Sequence, residues 1–210
     1  MLEIFNFFFT QYKTSSSTDI TLEIIAVIFG FLSVWFSKEN KIWVFPTGMI
    51  STSIFVYLLL KWGLLGDMMI NAYYFIMSVY GWYIWTRKIN ETTVTPISRI
   101  TSKERQKGII LFLSTLIFVF IIYKFFDKWT GWVAYADTFT TAIFFVGMWL
   151  MAKRKIENWI FWILGNIISV PLYFYKGLTF TSLQYFGFTF IAIFGYIAWK
   201  KSLHKNLSTS

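Results

Sequence analysis

The sequence predicts an all-α integral membrane protein with seven transmembrane helices. Of its 210 residues, 57% are hydrophobic and 23% aromatic, whereas only 14% are charged. Ordinary soluble domains carry about 25% charged residues, so a soluble fold of this size could not bury so much apolar surface. The apolar residues fall in seven runs that lack the alternation typical of barrel strands. In lipid, such runs must be helical, because a helix satisfies its own backbone polar groups.

The seven runs set the order of the elements. A helix needs about 20 mostly apolar residues to cross a bilayer, and the candidate spans are residues 20–36, 42–60, 67–85, 108–126, 132–151, 159–175 and 180–199. Residues 1–12 lack the basic start and cleavage site of a secretory signal. We therefore interpret residues 1–19 as an N-terminal arm and not as a signal peptide. Residues 201–210 are predicted to be a cytoplasmic tail.

Basic residues predict the orientation of the chain. Of the 19 Lys and Arg residues, 14 lie in the first, third and fifth connecting segments and in the C-terminal tail. The positive-inside rule places these segments in the cytoplasm and the N-terminus outside. We expect a multi-pass protein of the bacterial cytoplasmic (inner) membrane, with the lipid bilayer as its surroundings. The net charge of +9 forms no basic face, so no nucleic-acid partner is expected.

An internal repeat divides the chain. The segment YGWYIW at residues 80–85 is echoed by FGYIAW at residues 194–199, which lie 114 positions later. Three more pairs of identical residues support the repeat: Gly63 with Gly177, Trp43 with Trp159, and Tyr57 with Tyr173. The last two are 116 positions apart, which predicts a two-residue gap. We expect a first three-helix repeat at residues 20–86, a cytoplasmic loop and linker helix at 87–131, and a second repeat at 132–200.

The linker helix gives both repeats the same orientation. The result is a 3+1+3 parallel-repeat arrangement, in which a substrate site is expected between the repeats near the membrane midplane. Pro46 and Pro171 lie in the middle helix of each repeat. A proline inside a helix removes a backbone hydrogen bond and kinks it. Two interpretations stay open here, a hinge for alternating access and a static kink fixed by packing.

A polar and aromatic stripe marks the sixth helix. Trp159, Trp162, Asn166, Ser169 and Tyr173 are spaced three or four residues apart, so a helix places all five on one face. We predict that this face lines a substrate path through the membrane. Trp162 is the best stacking residue, since an indole face binds a flat ring and attracts a cationic one. Trp159 could instead be an interfacial anchor.

Polar residues in other helices are further candidates for the site. Asn71 and Tyr74 share a face of the third helix, Thr141 lies on the fifth, and Gln184 lies near the outer part of the seventh. Polar residues in membrane helices usually face the bundle interior or a cavity. For the hydroxyl residues, hydrogen bonding between helices is the main alternative to site lining.

Several classes of function are disfavoured by what the sequence lacks. It has no Cys and one His, His204 in the tail, so thiol chemistry and a metal site are not expected. Without a nucleophile–base pair or a cofactor motif, we expect neither an enzyme nor a cofactor. No series of acidic residues lies deep in the spans, which favours a passive uniporter over a coupled pump. A structural membrane subunit remains the alternative from another class, although it would not need the stripe.

Ordered motifs carry a resemblance to a known family across residues 30–202. In the first repeat they are Asn40-x-x-Trp43-x-x-Pro46-x-Gly48, Gly66-Asp67-x-x-x-Asn71-x-x-Tyr74 and Tyr80-Gly81-Trp82; in the second they are Asp137-x-x-Thr140-Thr141, Lys153-Arg154-Lys155 and Glu157-x-Trp159-x-x-Trp162-x-x-x-Asn166, through Tyr173-x-x-Lys176. In this order they resemble the PnuC family of bacterial nicotinamide riboside transporters, which includes thiamine-transporting relatives. Met148, Phe144 and Asn71 depart from the residues common in that family.

The resemblance implies a fold similar to SWEET transporters, a homotrimer, and facilitated diffusion of a small cationic aromatic vitamin precursor. It also implies that a cytoplasmic kinase traps the imported solute by phosphorylation. Nicotinamide riboside is the substrate it favours, with thiamine, riboflavin or a nucleoside as alternatives. The implied substrate contacts are Trp159, Trp162, Asn166, Asn71, Tyr74 and Gln184.

Overall fold

Seven helices make up most of the described chain. The computed structural model describes residues 16–61, 65–90, 93–127, 129, 131–175 and 179–208. Its helices are α1 (Ser17–Lys38), α2 (Val44–Lys61), α3 (Leu65–Thr86), α4 (Ser102–Phe125), α5 (Gly131–Ala152), α6 (Asn158–Tyr175) and α7 (Thr179–Ser208). Each matches one predicted span, so the predicted all-α fold is confirmed. Residues 1–15 of the arm, Gly63 and Gly177 lie outside the described residues.

Five of the described helices are long and apolar enough to cross a membrane: α1, α2, α4, α5 and the Ser182–His204 part of α7. The other two predicted spans, α3 and α6, carry amides and phenols along their length. Asn71 and Tyr74 lie in α3, and Asn166 and Tyr173 lie in α6. Side chains of this kind are kept away from lipid when helices pack together, so a functional site is expected where α3 and α6 face the bundle interior.

Local hydrogen bonds fix where α4 begins. Thr101 Oγ1 accepts from the Glu104 backbone N–H at 3.3 Å, and the Glu104 carboxylate accepts from the Thr101 N–H at 3.0 Å. This capping box satisfies two backbone donors at the helix start. It explains why α4 begins at Ser102 rather than at residue 108. Glu104 also forms ion pairs with Lys153 at 2.6 Å and Lys155 at 3.1 Å, which hold α4 beside the loop after α5.

The connection between α3 and α4 contains structure that the sequence did not predict. Strands β1 (Lys88–Asn90) and β2 (Thr93–Val94) form a short antiparallel ribbon. The next segment, residues 95–101, is called the strap because it crosses the loop between α5 and α6. There the Ser98 N–H donates to Arg154 O at 3.1 Å, and the Ile156 N–H donates to Ser98 O at 3.0 Å.

Six helices form a closed ring, and α4 lies outside it. Around the ring, α1 packs on α2, α2 on α3, α3 on α5, α5 on α6, α6 on α7, and α7 back on α1; α4 packs on α5. The first half, α1–α3, therefore meets the second half, α5–α7, at two junctions. Each junction joins the third helix of one half to the first helix of the other, as expected for two repeats in the same orientation. This packing supports the proposed 3+1+3 division.

The two halves share their loop geometry at a constant offset. Asn40 and Arg154, 114 positions apart, follow α1 and α5 with left-handed backbone at φ 55° and 57°. In each loop the next residue donates its N–H to a carbonyl in the last turn of the preceding helix, both at 2.9 Å. Non-glycine residues rarely adopt this backbone, so its occurrence at matched positions is strong evidence for a repeat.

The predicted pairing of Trp43 with Trp159 is wrong, because the offset stays at 114 through this region. The counterpart of Trp159 is Phe45. The Phe45 ring fills the space beside Gly81, where a methyl group would overlap it, and Trp159 fills the equivalent space beside Gly195. Trp43 is 59% exposed, whereas Phe45 is 0% exposed. The two segments therefore align without a two-residue gap. Trp43 and Trp159 are the same residue type, but they do not occupy equivalent positions.

The two prolines are not equivalent. Pro46 lies in the first turn of α2, where a missing N–H breaks no helical hydrogen bond, so the predicted kink within this helix is wrong. Pro171 does lie inside α6. Beside it, the Ser182 hydroxyl of α7 donates to Val170 O at 2.8 Å. This hydrogen bond joins α7 to α6 beside the proline, so Pro46 and Pro171 do not form a pair of equivalent kinks.

Candidate functional site

The stripe predicted on α6 lies on one inward face. Trp159, Asn166 and Ser169 are buried, while Trp162 and Tyr173 are partly buried. The Ser169 hydroxyl is buried without a hydrogen-bond partner among the described residues. A buried hydroxyl in that state is costly in a bilayer, so its position suggests a polar group that a solute could satisfy.

Trp162 belongs to a continuous series of rings inside the bundle. Its ring centroid lies 6.4 Å from Tyr74 of α3 and 5.4 Å from Phe144 of α5. Phe144 is stacked against Tyr185 of α7 at 5.9 Å, and Tyr185 lies 5.0 Å from Tyr173 of α6. We call these five residues the aromatic row. The row draws on four helices from both halves, so tertiary packing rather than a single helix assembles it.

Phe144 and Tyr185 were not among the predicted site residues. Their sequence signals were weak, since Phe144 lies three residues after Thr141 and Tyr185 directly follows Gln184. An aromatic residue in a membrane helix is most simply explained by packing. Only the crossing of α5, α6 and α7 shows that these rings meet Trp162 and Tyr173.

The remaining predicted residues lie around the row. Asn71 precedes Tyr74 by one turn of α3, Gln184 adjoins Tyr185, and Thr141 lies one turn before Phe144; Asn71, Gln184 and Thr141 are all partly buried. Asn166 lies one turn beyond Trp162 and is buried. Three amides, one from the first half and two from the second, therefore lie near the row, with donors and acceptors that could bind a polar solute.

The structure separates Trp159 from Trp162. The Trp159 ring packs against Gly195 and makes an edge contact with Trp199 at 5.6 Å. It belongs to the buried core, whereas Trp162 reaches Tyr74 and Phe144. Trp159 therefore holds one end of the bundle together and lies outside the aromatic row.

Two equivalent indoles close that end of the bundle. Trp85 of α3 and Trp199 of α7 lie 5.9 Å apart. The Trp85 Nε1–H donates to the carbonyls of Met151 and Ala152 at 3.3 and 3.2 Å, and the Trp199 Nε1–H donates to Ser37 O at 3.0 Å. Each indole thus donates to the final turn of the first helix of the other half, where the Ser37 and Met151 carbonyls also accept from the backbone N–H groups of Asn40 and Arg154. We call this pair, with its acceptors, the indole lock.

Arg154 adds a third contact between the halves at the indole lock. Its guanidinium lies 4.2 Å from the Trp85 ring. Its Nε donates to Asn40 Oδ1 at 3.0 Å, and its Nη1 donates to Thr95 O of the strap. Burial lowers the pKa of Arg154 to about 10, which still leaves it charged at neutral pH. The cation therefore ties α5 to the first half and to the strap.

The indole lock and the aromatic row lie at different heights along α6. At the indole lock, aromatic rings and a guanidinium fill the space between the halves. The aromatic row begins one turn of α6 further along and extends to Tyr173, about 16 Å at the helical rise of 1.5 Å per residue. Within the described residues, no group of three or more His, Cys, Asp or Glu side chains could hold a metal ion. The row presents aromatic faces on which a flat organic solute could stack, and the indole lock joins the two halves at the end nearest Trp159.

Comparisons with known proteins agree with this geometry. A family model described as nicotinamide mononucleotide transporter matches residues 20–201. The nicotinamide riboside transporter PnuC of Escherichia coli is 23% identical over 205 residues, covering 86% of this chain and 85% of its own length. The riboflavin/roseoflavin transporter RibM of Streptomyces davaonensis is 20% identical over 179 residues, covering 84% of this chain and 83% of its own.

A solved structure shares the fold. The crystal structure of the vitamin B3 transporter PnuC matches with a TM-score of 0.66 and 24% sequence identity, over 90% of this chain and 84% of that one. The two chains therefore have the same overall fold. The family model spans most of the chain and confirms the resemblance found in its motifs: the chain belongs to the nicotinamide mononucleotide transporter family, which includes the PnuC proteins.

Proposed function

We propose that this chain imports nicotinamide riboside by facilitated diffusion across the bacterial cytoplasmic membrane. The observation that supports this most is the position of Trp162, partly buried beside Tyr74 within the ring of helices. Nicotinamide riboside has a flat pyridinium ring with a positive charge. An indole face attracts such a ring through both stacking and cation–π interaction. The relative in Escherichia coli that is named for this solute aligns with most of the chain.

The proposed contacts follow from the chemistry of each side chain. Trp162 and Tyr74 stack with the ring, while amides pair with the ribose hydroxyls and the carboxamide. The amides assigned to this role are Asn71, Asn166 and Gln184. Hydroxyl groups complete the site at Ser169, Thr141 and Tyr173. We assign Trp159 to closure of the bundle instead of substrate contact, because it packs against Gly195 and Trp199.

The end that carries the indole lock is proposed to face the cytoplasm. It holds the strap, the loop with Lys153 and Lys155, and the end of α3, which together form the more basic side. In this arrangement the structure is closed toward the cytoplasm, and transport requires the indole lock to open. Rocking of two repeats about a site between them is a common means of alternating access.

Passive transport is proposed because acidic side chains lie near helix ends in the described part of the chain. Asp19 and Glu23 lie in the first two turns of α1, and Asp137 in the second turn of α5. Proton and ion relays use acidic residues deep in the spans. A cytoplasmic kinase would make uptake directional, since phosphorylation adds charge that the site does not match. We also propose a homotrimer as the assembled form.

Alternatives within the family concern the solute. Riboflavin is favoured by the similarity to RibM, and thiamine has a cationic ring that Trp162 would also attract. A nucleoside would use the same amides. A structural subunit would bind none of these solutes, so binding separates the two classes.

Binding titration of the purified protein against nicotinamide riboside, thiamine and riboflavin tests the proposal. We expect nicotinamide riboside to bind at micromolar concentration, and Trp162→Ala to weaken it about tenfold or more, as the loss of a stacking and cation–π contact implies. Trp82→Ala serves as the control, because Trp82 is an exposed indole of α3. Absence of binding below millimolar concentration for all three solutes would overturn the proposal.

Transport into vesicles tests the passive mechanism. Proteoliposomes without a kinase should equilibrate nicotinamide riboside at the same rate with and without an uncoupler. With the membrane potential clamped at zero, because the solute is a cation, accumulation above the external concentration that an imposed proton gradient drives and the uncoupler abolishes would contradict facilitated diffusion.

A further inference from the structure

Phe144 lies between two rings of the aromatic row, Trp162 of α6 and Tyr185 of α7. We infer that it sets the size of the flat ring that the site accepts. This inference rests on the proposed function, because it concerns the choice of solute at that site. It assigns a specificity role to a side chain of α5 that would otherwise be explained as core packing.

The ring geometry shows that Phe144 fills a stacking position. Its plane is 11° from that of Tyr185 and 30° from that of Trp162, with centroids 5.9 and 5.4 Å away. Stacked aromatic pairs have centroids about 4.5–7 Å apart. No solute ring can therefore enter between Phe144 and either neighbour. The place between Trp162 and Tyr185 is already taken by a ring of the protein itself.

A glycine makes room for the Phe144 ring. A methyl group at Gly165 of α6 would overlap the ring, so the residue opposite must lack a side chain. At the equivalent position of the first half, 114 residues earlier, Gly30 faces the hydroxyl of Ser51. In the second half, the Phe144 ring therefore packs against Gly165. In the first half, the roles are exchanged, and Gly30 packs against the small side chain of Ser51. A smaller residue at position 144 is compatible with the same helix pairing.

The same comparison shows that three of the five rings have no aromatic counterpart in the first half. The counterparts of Trp162, Phe144 and Tyr185 at this offset are Gly48, Gly30 and Asn71. The second half therefore supplies four of the five rings, Tyr74 of α3 being the fifth, and Phe144 lies between Trp162 and Tyr185. Removing this ring opens a slot between Trp162 and Tyr185, which a larger fused ring could enter and stack against on both faces.

Riboflavin is a suitable probe for the slot. Its fused three-ring system is flat and larger than a pyridinium ring, and its fluorescence is quenched when it stacks on an indole. Phe144→Ala should increase the affinity for riboflavin relative to nicotinamide riboside by about tenfold or more, within the range that pocket size commonly controls. Phe144→Leu keeps most of the apolar volume without the flat ring and should give a smaller change in the same direction.

Phe145 provides a matched control. It is the next residue, is also 7% exposed, and stacks on Tyr73 at 3.8 Å, at the junction with α3. Phe145→Ala loses a similar amount of packing but opens no position between Trp162 and Tyr185. Its ring also lies 6.3 Å from Tyr74 of the row. We expect Phe145→Ala to leave the ratio of the two affinities within about twofold, because losing this contact affects both solutes alike and opens no position between Trp162 and Tyr185.

The outcomes distinguish this inference from the proposed function. If the unsubstituted protein binds nicotinamide riboside but folded Phe144→Ala and Phe144→Leu show the same affinity ratio as Phe145→Ala, the specificity role is refuted and the function stands. If the unsubstituted protein binds no vitamin but Phe144→Ala alone binds riboflavin, the proposed function fails and the slot is supported. Thermal unfolding and size-exclusion profiles of each variant establish that it is folded.

Discussion

Replacing Arg154 by Gln should release the closed end of the bundle. The substitution removes the positive charge and the guanidinium from the face of Trp85. It also removes the hydrogen bonds to Asn40 Oδ1 of the first half and to Thr95 O of the strap. All three contacts join α5 to parts of the chain that must separate if the halves rock apart. Arg154→Gln should therefore shift the protein toward a state that is open on this side.

The size of the shift reflects opposing effects. Each hydrogen bond to a charged group contributes about 1.5–3 kcal/mol, and the cation–π contact adds about 0.5–1 kcal/mol. Burial of the guanidinium opposes closure, as its lowered pKa indicates, and offsets much of this gain. We expect a net loss of about 1.4 kcal/mol for the closed state, which corresponds to about a tenfold shift in the equilibrium.

Cysteine labelling can measure this shift, because the chain has no native Cys. Ser37 is a suitable reporter position: it is 5% exposed, and its carbonyl accepts from Trp199. A single Ser37→Cys protein would be modified by a membrane-impermeant maleimide only when this end opens. In inside-out vesicles, adding Arg154→Gln should accelerate labelling about tenfold, in line with the estimated shift.

A second arginine controls for the change in charge. Arg105 lies on the exposed surface of α4 on the same side, so Arg105→Gln in the Ser37→Cys background should leave the labelling rate unchanged. Equal labelling rates with Arg154→Gln and Arg105→Gln would refute the reasoning. A slower rate with Arg154→Gln would show that the guanidinium favours the open state.

Two further predictions concern packing around the indole lock. Trp199→Phe and Trp85→Phe keep the aromatic contacts but remove the hydrogen bonds across the halves. Each should accelerate the same labelling about fivefold, for a bond of about 1 kcal/mol, and unchanged rates would count against these bonds as closing contacts. Gly195→Ala should lower the melting temperature because its methyl group overlaps Trp159, at a cost of about 1–3 kcal/mol. Gly187→Ala, which has open space around it, should not, and similar melting temperatures for both variants would contradict the overlap.

Much of the fold was predictable because lipid restricts the alternatives. All seven described helices match the predicted spans, since a run of apolar residues in a bilayer must be helical. Boundaries were less certain where polar residues continue a helix, as in α4, which begins at Ser102 through the Thr101–Glu104 capping box. The ribbon of β1 and β2 gave no signal, because two and three residues are too few to show a period.

The repeat was recognisable from the sequence, but its register was not. Trp43 was paired with Trp159 because both are tryptophans, whereas the structure gives Phe45 the equivalent place beside a glycine. Two different aromatic rings make the same contact: Phe45 fills the space next to Gly81, and Trp159 fills the space next to Gly195. The offset of 114 residues between the halves is fixed by the left-handed backbone of Asn40 and Arg154 and by the hydrogen bonds of their loops. Sequence similarity does not reveal such backbone conformations.

The sequence alone determined the membrane fold, the order of the helices and the single face of α6 that carries Trp162 and Asn166. These follow from properties of one segment at a time, its apolarity and its helical period. Only the tertiary structure decided which faces meet: it assembled the aromatic row with Phe144 and Tyr185, and it moved Trp159 to the closed end. It also placed Arg154, which reads as an ordinary loop cation, between the two halves. The physical reason is that spacing along a helix fixes which residues share a face, whereas the partner of that face depends on how distant helices pack.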